Sequence, residues 1–348
     1  MGRCHLRCVK LLEGADVVAI ADTLADSLAS AAEMLPAGIP QYEDYHDMLA
    51  SEELDAVVVA TPNDTHADIA CDVIAAGVHM LLEKPLAASL AGCNRVRATA
   101  GRGPQVVQVG LELRCCELFR RLRKLIDAGT AGEVRQLWCK EFRGPFLRKV
   151  GDWIVQADRS GGALVEKDCH HFDLFHWMAG RRPERVAGFG SCDLVYGRET
   201  FDVEPTVLDN AQVIIEHEGG AVACLMLCMF AAGYDEGLEL GVIGTEATVV
   251  ATLGRKPDEK DLLRVYPRGK EPGHTIEMPQ LEDAAIRASS HGGWVYYEHE
   301  AFRGSIRTGA RPEADVEAAW WATAVGIAAE RAIAERRIVE MSELTAGE

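Results

Sequence analysis

Leu81-Leu82-Glu83-Lys84-Pro85-Leu86 is the stretch on which the fold turns. His79-Met80-Leu81-Leu82 reads as a short apolar strand, and Pro85 ends it by fixing φ and removing a backbone donor. The carboxyl end of that strand is therefore Glu83-Lys84. Ligands of open α/β sheets bind outside the carboxyl ends of strands, so an ammonium held there can point into a cleft. A solvated strand-to-helix loop is the other reading of the same residues.

Strands and helices alternate outward from this point. Residues 3–12 read as a helix, Val17-Val18-Ala19-Ile20-Ala21 as an apolar strand ending in Asp22, 24–34 as a helix and 41–42 as a short extended segment. Ala56-Val57-Val58-Val59-Ala60 is apolar on both faces and breaks at Thr61-Pro62-Asn63. A helix over 69–76 ends at Gly77, and 106–109 closes the series. This alternation predicts a doubly wound parallel sheet. In dinucleotide-binding sheets a carboxylate at the end of the second strand accepts hydrogen bonds from the adenosine ribose. Asp22 fits that place, and Thr23-Leu24 after it bring no Arg for a ribose phosphate, which favours NAD over NADP. Capping of the next helix is the alternative role for Asp22.

The chain has 348 residues, 48% of them hydrophobic and 26% charged, enough for two ordinary globular domains. A net charge of -18 without a basic run argues against nucleic acid or an anionic membrane surface as partner. No apolar run approaches the ~18 residues of a membrane span, and Met1-Gly2-Arg3-Cys4-His5 lacks a signal peptide's apolar segment, so a cytoplasmic protein is expected. Eleven cysteines without a C-x-x-C pair point to reduced thiols. Cys169-His170-His171 lacks a second ligand cluster at metal-binding spacing, and no metal is expected.

From about residue 112 the texture changes. An amphipathic helix over 119–128 is followed by strands at 134–142, 185–195, 211–217, 221–228, 238–243 and 248–253, with a hairpin signal at Glu216-His217-Glu218-Gly219-Gly220. Helices at 294–306 and 315–334 and a strand at 338–341 complete the chain. A largely antiparallel sheet follows, and one with a face free of helices commonly pairs with another copy, so a homodimer or homotetramer is expected. Between the first two strands lies Ser160-Gly161-Gly162-Ala163-Leu164-Val165-Glu166-Lys167-Asp168-Cys169-His170-His171-Phe172-Asp173. If it is helical, Glu166, His170, Asp173 and Trp177 share a stripe between apolar flanks. A buried His satisfied by a carboxylate one turn away explains that stripe structurally. Equally, a neutral imidazole oriented by a carboxylate can take a hydroxyl proton near neutral pH.

Asp22, Ala60-Thr61-Pro62-Asn63-Asp64-Thr65-His66 and Glu83-Lys84-Pro85-Leu86, in that order, resemble the glucose–fructose oxidoreductase / inositol dehydrogenase / MocA (Gfo/Idh/MocA) family of NAD(P)-dependent oxidoreductases. Gln108-Val109-Gly110 leading to Arg114, the turn over 129–134, Gly161-Gly162 leading to His170 and Asp173, and His291-Gly292-Gly293 extend the likeness over nearly the whole chain. The resemblance implies a Rossmann domain over 1–111 and an α+β substrate-binding and oligomerisation domain over 112–348. Such an enzyme moves hydride between a sugar, inositol or related polyol hydroxyl and the nicotinamide. Lys84 would stabilise alkoxide charge, and His170 would be the base, oriented by Glu166, which stands where the family's pattern has Asp. Gly2, Asp22, Thr61, Pro62, Asn63 and His66 would hold NAD, with Glu83 at the nicotinamide ribose. Arg114, Trp153, Asp168, His171 and His291 would face the substrate, Trp153 offering the flat apolar surface on which sugar rings pack. An NAD-dependent glycosidase of the same fold and a non-catalytic sugar or nucleotide sensor are the alternatives.

A dinucleotide-binding unit opens with a strand running into G-x-G-x-x-G, whereas this sequence is helical almost from Met1. Gly2 reads as the last glycine of that loop, with the first strand absent. Met1 is accordingly expected to be an internal methionine.

Overall fold

The computed structural model describes residues 1–194, 198–231, 238–254, 259–269 and 272–345. The first part of the chain runs α1 (Gly2–Val9), β1 (Ile20–Ala21), α2 (Ala25–Ala32), β2 (Gln41–Tyr42), α3 (Tyr45–Ser51), β3 (Ala56–Val59), α4 (His66–Ala75), β4 (His79–Leu82), α5 (Leu90–Ala100) and β5 (Val107–Val109). Every strand pair here is parallel, but the strands fall into two sheets, β1-β2 and β3-β4-β5. The strand expected over 17–21 is shorter than its apolar run, because only Ile20 and Ala21 find ladder partners, in Gln41 and Tyr42. As an edge strand, β3 leaves Ala56, Val57 and Val58 partly exposed, whereas β4 at the centre buries Met80, Leu81 and Leu82 completely. Hydrophobic burial thus fixes β4, and Glu83 and Lys84 are carried at its end.

The later part comprises α6 (Glu117–Asp127), β6 (Val134–Phe142), α7 (Ala157–Ser160), α8 (Ala163–Glu166), α9 (Cys169–Ala179), β7 (Pro183–Ser191), β8 (Asn210–His217), β9 (Val222–Cys228), β10 (Glu239–Gly244), β11 (Ala247–Thr252), β12 (Leu262–Pro267), β13 (His274–Glu277), α10 (Ala284–Ser289), α11 (Trp294–Thr308), α12 (Val316–Glu335) and β14 (Val339–Glu340). The nine strands form one sheet in the order β13-β12-β11-β10-β6-β9-β8-β7-β14. All its pairs are antiparallel except β6 with β9. Strands β12 and β13 had no counterpart in the sequence reading. Val195, the expected last residue of the β7 strand, lies outside the described residues, as do the final three residues of the span 112–348.

Two late helices pack back on the first part. In α11, Phe302 shares a small core with Leu81 and Val106. In α12, the Trp320 Nε1–H donates to Asn94 Oδ1 at 2.6 Å, and the Thr323 hydroxyl accepts the Leu86 N–H at 3.3 Å. The expected continuous helix through residues 163–178 is broken. Lys167 and Asp168 separate α8 from α9, and Asp168 stands at the N-cap of α9. Gly161 and Gly162 start this segment with φ of 87° and 98°, values that disfavour any side chain. At Gly326 a Cβ would come within 2.9 Å of the Leu164 carbonyl, so its absence lets α12 approach the α8 backbone.

Glu330, also on α12, accepts the Leu164 N–H at 3.0 Å and holds the start of α8. Burial, with a smaller push from Asp168, raises its carboxyl to about 7 against the lowering pull of the Leu164 N–H. A carboxyl raised above its unfolded value contributes stability that is present below about pH 4.5 and lost as pH rises through about 7. Glu330→Gln should therefore gain on the wild type by up to roughly 3 kcal/mol, or a few degrees in Tm, between pH 5 and pH 8. Melting curves at the two pH values check this, and a pH-independent difference would contradict it.

Candidate active site

Lys84 leaves β4 just before a cis peptide to Pro85 and reaches across to α8. Its ammonium donates to the Glu166 carbonyl at 2.5 Å and lies 3.2 Å from Glu166 Oε1. Burial alone would lower the Lys84 amine, but the carboxylates of Glu166 and Glu83 outweigh it and hold the group well above the ordinary lysine range. The Glu166 carboxylate is correspondingly held down, against desolvation, by Lys167 and Lys84. Lys167 Nζ stands 2.9 Å from Glu166 Oε2, an ion pair whose angle does not make a hydrogen bond.

The expected Glu166–His170 pair is not formed. With the helix broken at 167–168, Glu166 no longer stands one turn below His170, and its two oxygens face Lys84 and Lys167. His170 Nδ1 is buried without a hydrogen-bond partner. Burial first, and then the charge of Lys84, push the imidazole well below its usual value, so it is neutral near pH 7.

Three of the expected substrate contacts are committed to the protein itself. Arg114 is buried in a bidentate pair with Asp173, its Nε and Nη2 each 2.7 Å from a carboxylate oxygen, with Nη1 donating to the Glu313 carbonyl at 2.6 Å. Asp168 is fully buried, its Oδ1 2.9 Å from His171 Nδ1. That bond and the Asp168 charge raise His171 against the lowering effect of burial, and His171 itself is only 5% exposed. Trp153 is half-buried against the core and His291 is exposed. His291 Nδ1 lies 2.7 Å from both oxygens of Glu112, which raises the imidazole despite some desolvation.

The expected cofactor residues divide in the same way. Asp22 is exposed at the end of β1, and its Oδ1 accepts the Leu24 N–H at 2.9 Å. Thr61 is exposed after β3 and Pro62 is half-buried beside it. Asn63 and His66 turn inward instead. The Asn63 amide donates to the Ser160 carbonyl at 2.9 Å, and His66 Nδ1 lies 2.8 Å from the Pro85 carbonyl, with Nε2 3.1 Å from that of Thr61. Both are buried, so they brace the loop after β3 against the segments carrying Lys84 and Glu166. Glu83 is buried too, with Oε1 2.8 Å from His5 Nε2, while Gly2 opens α1. His5, His299, Glu112 and Lys167 were not singled out in the sequence. Only Lys167 carried a signal there, as the second Glu-Lys dipeptide of the chain.

The family model described as "Oxidoreductase family, NAD-binding Rossmann fold" (Gfo/Idh/MocA) matches residues 1–111, and that of its "C-terminal alpha/beta domain" matches residues 123–341. Inositol 2-dehydrogenase of Klebsiella pneumoniae is 27% identical over 350 residues, covering 99% of this chain and 94% of that protein. With inositol 2-dehydrogenase of Salmonella typhimurium the identity is 26% over 240 residues, 68% of this chain and 66% of that protein, slightly under two thirds of the relative's length. Among solved structures, levoglucosan dehydrogenase in complex with NADH and levoglucosan has a TM-score of 0.84 at 18% identity, covering 98% of this chain and 96% of that one.

Truncating Arg114 would leave Asp173 as an uncompensated buried charge. Arg114→Met should therefore cost about 3–5 kcal/mol of stability, with a smaller loss for the double variant Arg114→Met/Asp173→Leu. Denaturant unfolding of the three proteins measures this, and a single variant as stable as the wild type would return Arg114 to the substrate.

Proposed function

The chain belongs to the Gfo/Idh/MocA family of NAD-binding oxidoreductases, and from that premise we propose that it oxidises a secondary hydroxyl of a sugar, inositol or related polyol. One observation carries the reading. A permanently charged ammonium, Lys84, and a neutral imidazole, His170, are held together at the carboxyl end of β4, next to the turn that brings α8 and α9 onto the sheet. The names of the similar proteins, inositol 2-dehydrogenase and levoglucosan dehydrogenase, support the substrate class.

The residues present fit the adenosine ribose and nicotinamide ends of NAD. The carboxyl ends of β1, β3 and β4 bring exposed Asp22, exposed Thr61 and the Glu83-Lys84 pair, and at Gly110 a Cβ would stand 3.2 Å from Glu83 Cα and Oε2. NAD held there would supply the hydride acceptor for the carbon being oxidised. Asp22 would accept the ribose hydroxyls with its remaining oxygen. His170 takes the hydroxyl proton, and Lys84, which stays protonated, stabilises the alkoxide charge that develops as the proton leaves. His291 and Trp153 are the residues left on the substrate side.

We assign the enzyme to the cytoplasm on its scattered cysteines, which suit a reducing compartment; no helix among the described residues is long and apolar enough to cross a membrane. The open face of the nine-stranded sheet carries Phe189, 85% exposed, with Ile214, Val222 and Tyr266. That face is the proposed homodimer or homotetramer contact.

NADH absorbance over a polyol panel, followed by aglycone release over a glycoside panel, tests the activity. Turnover of glycosides alone would move the assignment to a glycosidase, and binding without either activity to a sensor. Lys84→Met should lower kcat on the order of 10²-fold with NAD affinity within a few-fold, and near-normal turnover would remove Lys84 from the chemistry. Because burial and Lys84 both disfavour the imidazolium, the acid limb of kcat/KM should fall below pH 6.5, and a midpoint at or above that value would exclude His170 as the base.

A further inference from the structure

The Glu166 carboxylate lies between two ammonium groups, Lys84 Nζ at 3.2 Å from Oε1 and Lys167 Nζ at 2.9 Å from Oε2. The three side chains are only 16%, 8% and 14% exposed, so water screens them weakly. A Lys84–Glu166 pair alone would be neutral. The trio instead carries one surplus positive charge. Of the neighbouring groups, Arg143 lies 3.1 Å from Glu141 and Asp168 2.9 Å from His171, while Glu83, 2.8 Å from His5, acts on Lys84 only through its charge, with no hydrogen bond between them. The ring of Phe146, 5.6 Å from Lys167 Nζ, covers the second ammonium with a surface that tolerates a cation but does not neutralise it.

We propose that Lys167 is a positioning residue of the active site, which takes one oxygen of Glu166 so that the Lys84 ammonium keeps an unbalanced positive charge toward the substrate oxygen. The proposal rests on the oxidoreductase reading above. Transition-state stabilisation requires a cation whose field is not already spent on a ground-state partner. With Lys167 removed, Glu166 would collapse onto Lys84 and cancel much of that field. The strain of the shared arrangement shows on Lys167 itself. Burial lowers its amine, Glu166 holds it up, and the charges of Lys84 and Arg143 push it down again, leaving it below the ordinary lysine range.

The test uses the full chain and two readouts. With a polyol that the wild type oxidises, Lys167→Met should lower kcat by about 10-fold or more with KM within about three-fold, and Lys167→Arg, which keeps the charge, should recover to within about three-fold of wild type. Without cofactor, competitive acetylation across pH, read by mass spectrometry at each lysine, should find Lys167 titrating below the ordinary ~10.4 and falling further in Glu166→Gln. A kcat for Lys167→Met within two-fold of wild type overturns the proposal, as does a Lys167 amine that titrates like a surface lysine. Loss of activity in Lys167→Arg at an unchanged melting temperature does so too. Failure of every polyol with the wild type overturns the oxidoreductase reading, and this proposal with it, even where the acetylation profile shows the carboxylate shared.

Discussion

The cleft depends on one contact between distant parts of the chain, the Lys84 ammonium on the carbonyl and carboxylate of Glu166. Lys84 is placed by β4, whose apolar residues are fully buried and whose course is stopped by Pro85. Glu166 is placed by α8, which α12 holds through the Gly326 contact and the Glu330 acceptor. A lone buried ammonium or carboxylate costs several kcal/mol, so in this poorly solvated place Lys84 relies on Glu166, which Lys167 also supports. The contact therefore ties the parallel strands to the large sheet, and chemistry and fold share one interaction. Asn63 and His66 reinforce it from the side, bracing the loop after β3 to Ser160 and Pro85.

Much of the fold was legible because hydrophobic periodicity and turn residues decide it locally. The apolar run over 56–60 and the Pro85 stop are decided by local residue type alone. The helix break at Lys167-Asp168 was not legible, since neither residue is a breaker and the i, i+4 spacing of Glu166 and His170 suits an unbroken helix. Tertiary partners decide it. Asp168, at the N-cap position of α9, turns its side chain to the His171 ring and not to the helix N–H groups, and Lys167 folds back on Glu166. The inward turn of Asn63, His66, Arg114 and Asp168 was hidden for a related reason. A sequence shows that a polar side chain lies near a site, but not whether the protein satisfies it before a ligand can.

That division sorts the titratable groups by role. Groups with complete internal partners, such as the Arg114–Asp173 fork, stabilise the fold and have no spare hydrogen-bonding capacity. An incomplete group keeps hydrogen-bonding capacity for a ligand only where a ligand can reach it, and Asp168 Oδ2, His176 Nε2, His217 Nδ1 and both Glu298 oxygens are buried without partners as well. His170 has an orphaned nitrogen and Lys84 a shared counter-ion, and although they come from distant parts of the chain the charge of Lys84 acts on the imidazole.

The Glu at position 166 then has a geometric rationale. From a short separate helix, one carboxylate must reach two ammonium groups that approach it on different oxygens, and an Asp would end one methylene sooner. The longer side chain lets the carboxylate bridge Lys84 and Lys167, with its backbone carbonyl adding a further acceptor to Lys84. Orientation of His170, the task a carboxylate at this position would have in an unbroken helix, is given up in exchange. The imidazole is kept neutral by burial and by the Lys84 charge instead of being held by an acid partner. In the proposed reaction, a base set up in this way would depend on the same ammonium that stabilises the alkoxide, so proton removal and charge stabilisation would be coupled through Lys84.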